Sequence, residues 1–461
     1  MKMPPPLDLR GLAGDAVSGG AAGLHAPKRQ ALWRDAVQGT ILGGRRASLA
    51  GKSVLIGVSS QFDAALAMLE LDGVVARMVI TPPDFTSERL ASAIAQAQVE
   101  AIICDDDVKD FGVDVTRVRV SALAPETEPR PAATETEWVL PTSGTTGAPK
   151  LVAHRLAGLL GAVRPRAAGE AAPVWATFYD IRRYGGMQIF LRAATSGATL
   201  LLTEASEPLA DHVTRMAAAG VTHLSGTPSH WRRLLMSPEA TRIAPKYVRL
   251  SGEIADRAVL ANLAAFYPNA KIVHAYASTE AGVGFEVTDG REGFPAAYLD
   301  GVGGVEMRVV DGSLRLRSRR TADRYVGRDD LALADADGFV DTDDLVERVG
   351  ERFFFKGRRA GTINVGGLKV HPEEVEQIIN PHDAVRMSLV KARRNPIMGD
   401  LIVAEVVLRE HDVSAEQKRA VKDEILAACR ARLERHKVPV SIDFVPSLAM
   451  SAGGKLLRGK A

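Results

Sequence analysis

Cysteine is nearly missing. The 461 residues hold two, Cys104 and Cys429, which excludes a disulfide framework and a cysteine-only metal centre. Both read as buried apolar thiols in a reducing compartment. An excess of one charge sign is missing as well. A formal net charge of +2 offers no bulk attraction to nucleic acid or to an anionic membrane, and neither is expected as a partner. No segment approaches about eighteen uninterrupted apolar residues. The opening MKMPPPLDLRGLAG lacks the apolar centre of a secretion signal, so a cytoplasmic protein is expected. Internal repeats are absent too. What remains is 46% hydrophobic and 25% charged, an ordinary globular composition in a chain too long for one core.

One stretch stands out against that background. Pro141-Thr142-Ser143-Gly144-Thr145-Thr146-Gly147-Ala148-Pro149-Lys150 follows the apolar Trp138-Val139-Leu140. A strand breaking into such a loop can turn backbone N–H groups and hydroxyls inward around an anion, and the lysine adds a full charge. A polyphosphate is the expected ligand. The Walker pattern of kinases and GTPases is excluded, because it needs glycine before the lysine and Ser or Thr after it; Pro149 and Leu151 stand there. Taken alone, the run could equally be a surface loop of small residues.

Strands and helices alternate on both sides of it. Ser53–Val58, Val75–Ile80 and Glu100–Asp105 read as strands, with helices through Ala64–Leu69 and Glu88–Gln98. Beyond the loop, helices are expected over Ala157–Ala168, Gln188–Ala194 and Pro208–Ala219. Strands are expected at Val174–Phe178, Ala198–Leu202, Val221–Leu224, Tyr247–Ser251 and Ile272–Tyr276. This order predicts an α/β chain with largely parallel sheets. From Gly303 the alternation in Val305–Val310 and Leu314–Arg317 predicts antiparallel strands. Residues 1–26, rich in Pro, Gly and Ala, predict a loose arm. A boundary is expected near Gly357–Gly361, followed by α+β structure in which Ser414 and Gln417 make a capping box, with Val421, Ile425, Cys429 and Leu433 on one helix face.

Three further clusters carry chemistry. His274-Ala275-Tyr276-Ala277-Ser278-Thr279-Glu280 ends a strand with a ring, hydroxyls and a carboxylate. These suit a purine, a phosphate and Mg2+ respectively. Asp341-Thr342-Asp343-Asp344 precedes Phe353-Phe354-Phe355-Lys356-Gly357-Arg358, and a carboxylate there could hold a ribose diol. The tail Ser451-Ala452-Gly453-Gly454-Lys455 ends in a lysine that could otherwise be a solvated charge.

In this order and spacing, PTSGTTGAPK, YASTE, GRRAGTINVGGLKVHPEEVE and GGKLLR resemble the adenylate-forming superfamily: acyl-CoA synthetases, adenylation domains of nonribosomal peptide synthetases, and luciferases. The resemblance spans about Lys52 to Arg458. It implies a large domain (27–358) of α/β subdomains plus a β-barrel-like segment, then a small mobile α+β domain (359–461). Thr142, Ser143, Gly144, Thr145, Thr146, Gly147 and Lys150 match the phosphate loop, and Gly252, Glu253 and Ile254 the adenine segment. Tyr276 matches the adenine-stacking ring, Thr279 the α-phosphate hydroxyl, Glu280 the Mg2+ carboxylate, and Asp344 with Arg358 the ribose pair. Lys455 matches the lysine that bridges substrate carboxylate and α-phosphate.

The implied activity is ATP- and Mg2+-dependent activation of a small carboxylic acid to an acyl-adenylate with pyrophosphate release. Transfer to the thiol of coenzyme A or of carrier-protein phosphopantetheine follows. The small domain then turns at Arg359–Gly361 and brings in Gly366, Gly367 and Lys369 to line a thiol channel. Transfer to a nitrogen nucleophile, or a silent nucleotide-binding scaffold, are the rival readings; intact Lys150, Glu280 and Lys455 argue against the scaffold.

The chain departs from the family's usual pattern in several places. Asp343 occupies a glycine position in the ribose turn, Ala277 another, and Ala360 replaces the Asp or Lys of the pivot. The start is also shorter than usual. Around the acyl group, Arg182 stands where histidine is common, and could meet a polar or anionic substituent or be a surface charge. Gly185, Ser225, Gly226, Ala275, Ala277 and Gly282 are the expected pocket walls. Their small size suggests room for a flat ring, hence an aryl acid. Arg315, Arg317, Arg319, Arg320, Arg393 and Arg394 could meet coenzyme A phosphates or an acidic acyl or peptidyl carrier protein, or simply form a solvated face. His154, His223 and His230 lack metal-ligand spacing and read as structural.

Overall fold

The computed structural model describes residues 7–17, 20–105, 115–127, 134–142, 149–166, 169–204, 206–365, 368–395, 399–410, 412–451 and 454–457. Ser53–Ile56 is buried at every position, as a strand covered on both faces must be. It pairs in parallel with Arg77–Ile80 on one side and Ala101–Cys104 on the other. Glu137–Pro141 joins this seven-stranded sheet in parallel with Arg77–Ile80. The chain then leaves for the glycine-rich run and returns as Leu151–Arg155, antiparallel, with Pro141 opposite Leu151. The run therefore connects two paired strands, and at its base Thr142 N–H donates to Lys150 O at 2.9 Å.

An eight-stranded sheet carries the rest of the large domain. Its centre is parallel: Gly23–His25, Thr199–Leu201, Val174–Thr177, His223–Gly226, Tyr247–Ser251 and Lys271–Ser278, with Gly282–Val287 antiparallel at the edge. One apolar cluster joins both sheets, running through Val54, Ile56, Leu66, Phe190 and Leu200. Helix Gln61–Leu71 is buried on every face, as a helix enclosed by protein must be. Ser60 starts it by accepting the N–H groups of Phe62 and Asp63.

Two expectations are corrected here. The arm over residues 1–26 is not loose where it is described. Leu9–Ala16 is a helix capped by Asp8, and Gly23–His25 is a strand of the large sheet. Both are held by distant residues: Leu9 N–H donates to Asp72 Oδ2 at 2.6 Å, and Leu9 and Ala13 are wholly buried. The helix expected over Ala157–Ala168 spans only Leu156–Leu160. Gly161 ends it, pressed against Arg320, whose Nε donates to Gly161 O at 3.0 Å.

After Gly303 the strands are antiparallel, in a five-stranded sheet of Phe294–Pro295, Arg352–Arg358, Val340–Val349, Ser313–Ser318 and Val305–Val310. Its register sets Asp344 directly opposite Arg358. The C-terminal part has its own core, from Ile363 to Ile442. There Ser414 and Gln417 close the capping box of helix Ala415–Arg432, which buries Ile425 and Cys429. Among the described residues, no helix is long and apolar enough to cross a membrane.

Candidate active site

Both ends of the glycine-rich run are described, while Ser143, Gly144, Thr145, Thr146 and Gly147 lie outside the described residues. Lys150 Nζ sits 5.4 Å from the centre of the Tyr325 ring. The phenol of Tyr325 is raised to about 12 by burial first and by the charge of Glu280 next. Glu280 also acts on Arg358. Lys150 thus lies by Tyr325, and Glu280 lies within electrostatic range of both Tyr325 and Arg358. Thr279 and Glu280 form the turn after Lys271–Ser278, and the backbone of Glu280 is fixed by Ala322 N–H at 3.0 Å.

Asp344 is the node of a second cluster. Its Oδ2 accepts the Tyr276 hydroxyl at 2.5 Å and its Oδ1 accepts Arg358 Nε at 3.2 Å. Burial, followed by the Asp344 charge, pushes the Tyr276 phenol well above its usual range, so it remains a donor. The ring lies parallel to Phe285 and Phe355, with centroids 5.5 and 5.1 Å away. Asp343, at a glycine position, keeps a positive φ of 60°. The turn survives because Asp is among the few residues that tolerate that region.

The tail docks on this site. Gly252 has a φ of +87°, and a Cβ there would lie 3.3 Å from Lys455 Cε and 3.8 Å from its Nζ. Thr227 Oγ1 donates to Gly454 O at 2.7 Å. Glu253 accepts Ser229 N–H at 2.9 Å with one oxygen and Leu456 N–H at 3.2 Å with the other. Gly454 has a φ of +71° and lies flat against His230, so close that any Cβ would fall 1.7 Å from the ring. Ile254 follows, half-buried. Burial lowers the Lys455 ammonium first, and the cation of Arg358 adds to it, against the pull of Glu253 and Asp344. The lysine is thus a half-buried cation set between Arg358 on one side and the carboxylates of Glu253 and Asp344 on the other.

The structure thus brings together Gly252, Glu253, Tyr276, Asp344, Arg358 and Lys455. It does not bring Lys369 to them. That residue lines a cleft of about 380 Å3 with Lys356, His371, Glu374 and Lys437. Gly366 and Gly367 lie outside the described residues.

The expected acyl pocket needs correction. Arg182 is neither a substituent partner nor a surface charge. It is 2% exposed, chelates Asp180 at 2.8 and 2.6 Å, and donates to Val58 O and Ser59 O. Gly226 and Gly282 do not open space either: a Cβ on them would meet Phe178 Cδ2 at 2.8 Å and Arg320 O at 2.3 Å, whereas one on Gly185 would make an ordinary contact with the Tyr179 ring at 3.7 Å. Ser225 and Ala275 are buried, and Ala277 packs against the main core. Arg315 and Arg317 are engaged in ion pairs with Asp335 and Glu306, and Arg320 with three backbone carbonyls.

Sequence reasoning read His230 as structural and missed that it seats the tail with Thr227, which announces itself only as a Thr-Pro helix start. It also missed the buried charges Arg192, Arg249 and Glu286, which signal themselves by sitting inside apolar core elements.

A carboxylate–arginine pair in one sheet and a tail lysine from the C-terminal part thus meet in one place. The chain belongs to the AMP-binding enzyme family: residues 50–320 match that family's model, and 374–455 match the AMP-binding enzyme C-terminal domain. The p-hydroxybenzoic acid–AMP ligase FadD22 of Mycobacterium tuberculosis is 28% identical over 69% of this chain and 47% of that protein, so the chain spans about half the length of that relative. A 2-succinylbenzoate–CoA ligase of Salmonella typhimurium is 25% identical over 88% of this chain and 86% of its own. The fold matches the anthranilate CoA ligase AuaEII bound to anthranoyl-AMP, with a TM-score of 0.81 at 17% identity over 99% of this chain and 97% of that one.

Proposed function

We propose that this protein activates a carboxylic acid, preferably an aryl acid, with ATP, forming an acyl-adenylate and pyrophosphate, and then passes the acyl group to the thiol of coenzyme A or a carrier protein. One observation carries this reading: the tail lysine lies against Gly252 beside Asp344 and Arg358. Aryl-acid ligases among the relatives support the substrate class. In this reading Asp344 and Arg358 hold the ribose, Tyr276 and Gly252 to Ile254 frame the adenine, and residues 142–150 hold the phosphates.

A single carboxylate, Glu280, suits Mg2+, which keeps water and phosphate among its ligands; when bound, the ion supplies neutralising charge. Lys455 has a role of its own. A carboxylate approaching a phosphate is an encounter of anions, and a desolvated cation held between them lowers that barrier. Residues 359–461 form the domain that turns at Arg359–Gly361, releasing Lys455 once the adenylate exists.

The test is acid-dependent exchange of pyrophosphate into ATP over aryl, fatty and amino acids, followed by product analysis with coenzyme A, a carrier or an amine. Lys455→Ala should leave ATP binding nearly intact and slow exchange by about a hundred- to a thousandfold. Near-normal exchange in that variant counts against the assignment. Product formed only with an amine would replace the thiol as acceptor.

A further inference from the structure

The side chain of Lys455 crosses Gly252, where there is no Cβ to steer it. Where its ammonium goes is therefore decided largely by where its backbone is held. One side of that backbone is taken by the tail itself. Lys455 N–H donates to Ser451 Oγ at 3.1 Å, its carbonyl accepts Ser451 N–H at 2.7 Å, and Leu456 bridges to Met450. The tail thus meets the large domain already folded back on itself. The carbonyl before the lysine and the N–H after it face the large domain, and both find partners there.

Thr227, wholly buried, gives its single hydroxyl proton to Gly454 O at 2.7 Å. Its oxygen also accepts His230 N–H at 3.1 Å, which caps helix Pro228–Leu234. Glu253 takes Leu456 N–H with Oε1 at 3.2 Å, while its Oε2 accepts the N–H of Ser229, in the first turn of that helix, at 2.9 Å. The two grips share one base, and neither needs the tail in order to stay in place. With residues 454–456 withdrawn, Thr227 still caps the helix and Glu253 still holds Ser229. Moving a reacting group by about 1 Å can cost on the order of a hundredfold in rate. Hydrogen bonds on both sides of the lysine therefore act on rate as well as on docking.

Accepting the carboxylate-activating role above, we propose that Thr227 and Glu253 are positioning residues for Lys455. They bracket it through the carbonyl of Gly454 and the amide of Leu456. The Glu253 side chain in this way serves the tail, and the backbone of residues 252–254 is left to the nucleotide.

The test follows Glu253→Ala in the full chain by pyrophosphate exchange, with benzoate, 4-hydroxybenzoate and hexanoate as acids, and by hydrogen exchange at Leu456. Pyrophosphate exchange should slow by about tenfold or more through kcat, with KM for ATP little moved. A loss confined to KM for ATP would put the side chain on the nucleotide and overturn the inference. Glu253→Gln, which keeps one acceptor oxygen, should retain part of the rate. Thr227→Val should lose as Glu253→Ala does, and Thr227→Ser should recover most of it. Added to Lys455→Ala, Glu253→Ala should cost nothing further, because it acts only through that lysine. The same loss over again, as a folding or nucleotide-binding role would give, overturns the inference. The Leu456 amide should exchange about fivefold faster in Glu253→Ala than in the wild type. If no acid supports pyrophosphate exchange, that amide decides alone. Protection lost in the variant leaves the bracket standing and only the activity reading fails, whereas equal exchange in both proteins overturns the bracket as well.

Discussion

Two helices show how differently the two domains are built. Gln61–Leu71 buries all eleven of its residues, whereas Ala415–Arg432, eighteen residues long, buries two, Ile425 and Cys429. The first is enclosed between packed layers; the second lies on a small core with one face in water. The large domain therefore behaves as a rigid frame for Asp344, Glu253 and Gly252. The small domain delivers Lys455 through a few polar contacts, chiefly Thr227 to Gly454 and Glu253 to Leu456. Lys356 to Glu374 and Asn380 to Asp256 join the two parts as well. A tail held mainly by hydrogen bonds can leave once its anion has reacted.

The sharpest way to break this contrast is to cut each core. Leu66→Ala in the enclosed helix should cost about 2.7–5 kcal/mol, because its neighbours cannot collapse into the space. Lys418→Ala on the exposed face should stay within about 0.5 kcal/mol. Chemical denaturation of both variants reads this directly, and equal losses would mean the two helices are not differently packed.

Acid should act next most strongly. His230 is half-buried under the tail, and desolvation first, with Arg233 next, holds its imidazole down to about 4. An unfolded histidine binds its proton near 6.5. Between those values the unfolded chain holds the proton and the folded one does not, so stability is complete above 6.5 and falls as pH drops towards 4. At roughly 1.4 kcal/mol per unit the full loss approaches roughly 3 kcal/mol. Melting temperature against pH should be flatter in His230→Asn across that window. An unchanged slope would show that the ring is not held neutral. A smaller effect, about 1 kcal/mol, is expected for Ser414→Ala, which removes the cap of the exposed helix. Hydrogen exchange should place that loss in residues 415–432 and leave 61–71 unchanged.

The same contrast explains what could be read beforehand. Ser53–Ile56 was legible because a strand covered on both faces must be an uninterrupted apolar run. The Asp344–Arg358 pair was legible through motif spacing, and the register now accounts for it. The N-terminal helix was not legible, since its stability comes from Asp72, more than sixty positions away, rather than from its glycine-rich sequence. The arginine positions failed for a related reason. Arg182 and Arg192 look alike in a sequence, but Asp180 two residues away satisfies the first. The second shares Glu286, far along the chain, with Arg249. Local spacing identifies which residues can carry charge, and only packing decides which charges are already answered.

The finest comparison is between the two departures from the family pattern, which meet in space. Asp343 Oδ2 accepts Ala360 N–H at 3.4 Å, and its Oδ1 is 3.7 Å from Arg359 Nε. A carboxylate thus reaches Arg359 and Ala360 from across the turn. Two effects oppose each other when Asp343 becomes glycine. Relief of the φ of 60° should stabilise the turn by up to about 1 kcal/mol, while the lost hydrogen bond and half-exposed ion pair should cost a similar amount. Global stability should therefore barely move. The Ala360 amide should exchange faster in Asp343→Gly, with Asp343→Asn in between, because asparagine keeps the acceptor and loses the charge. Unchanged protection at Ala360 in both variants would show that the carboxylate does not hold the pivot.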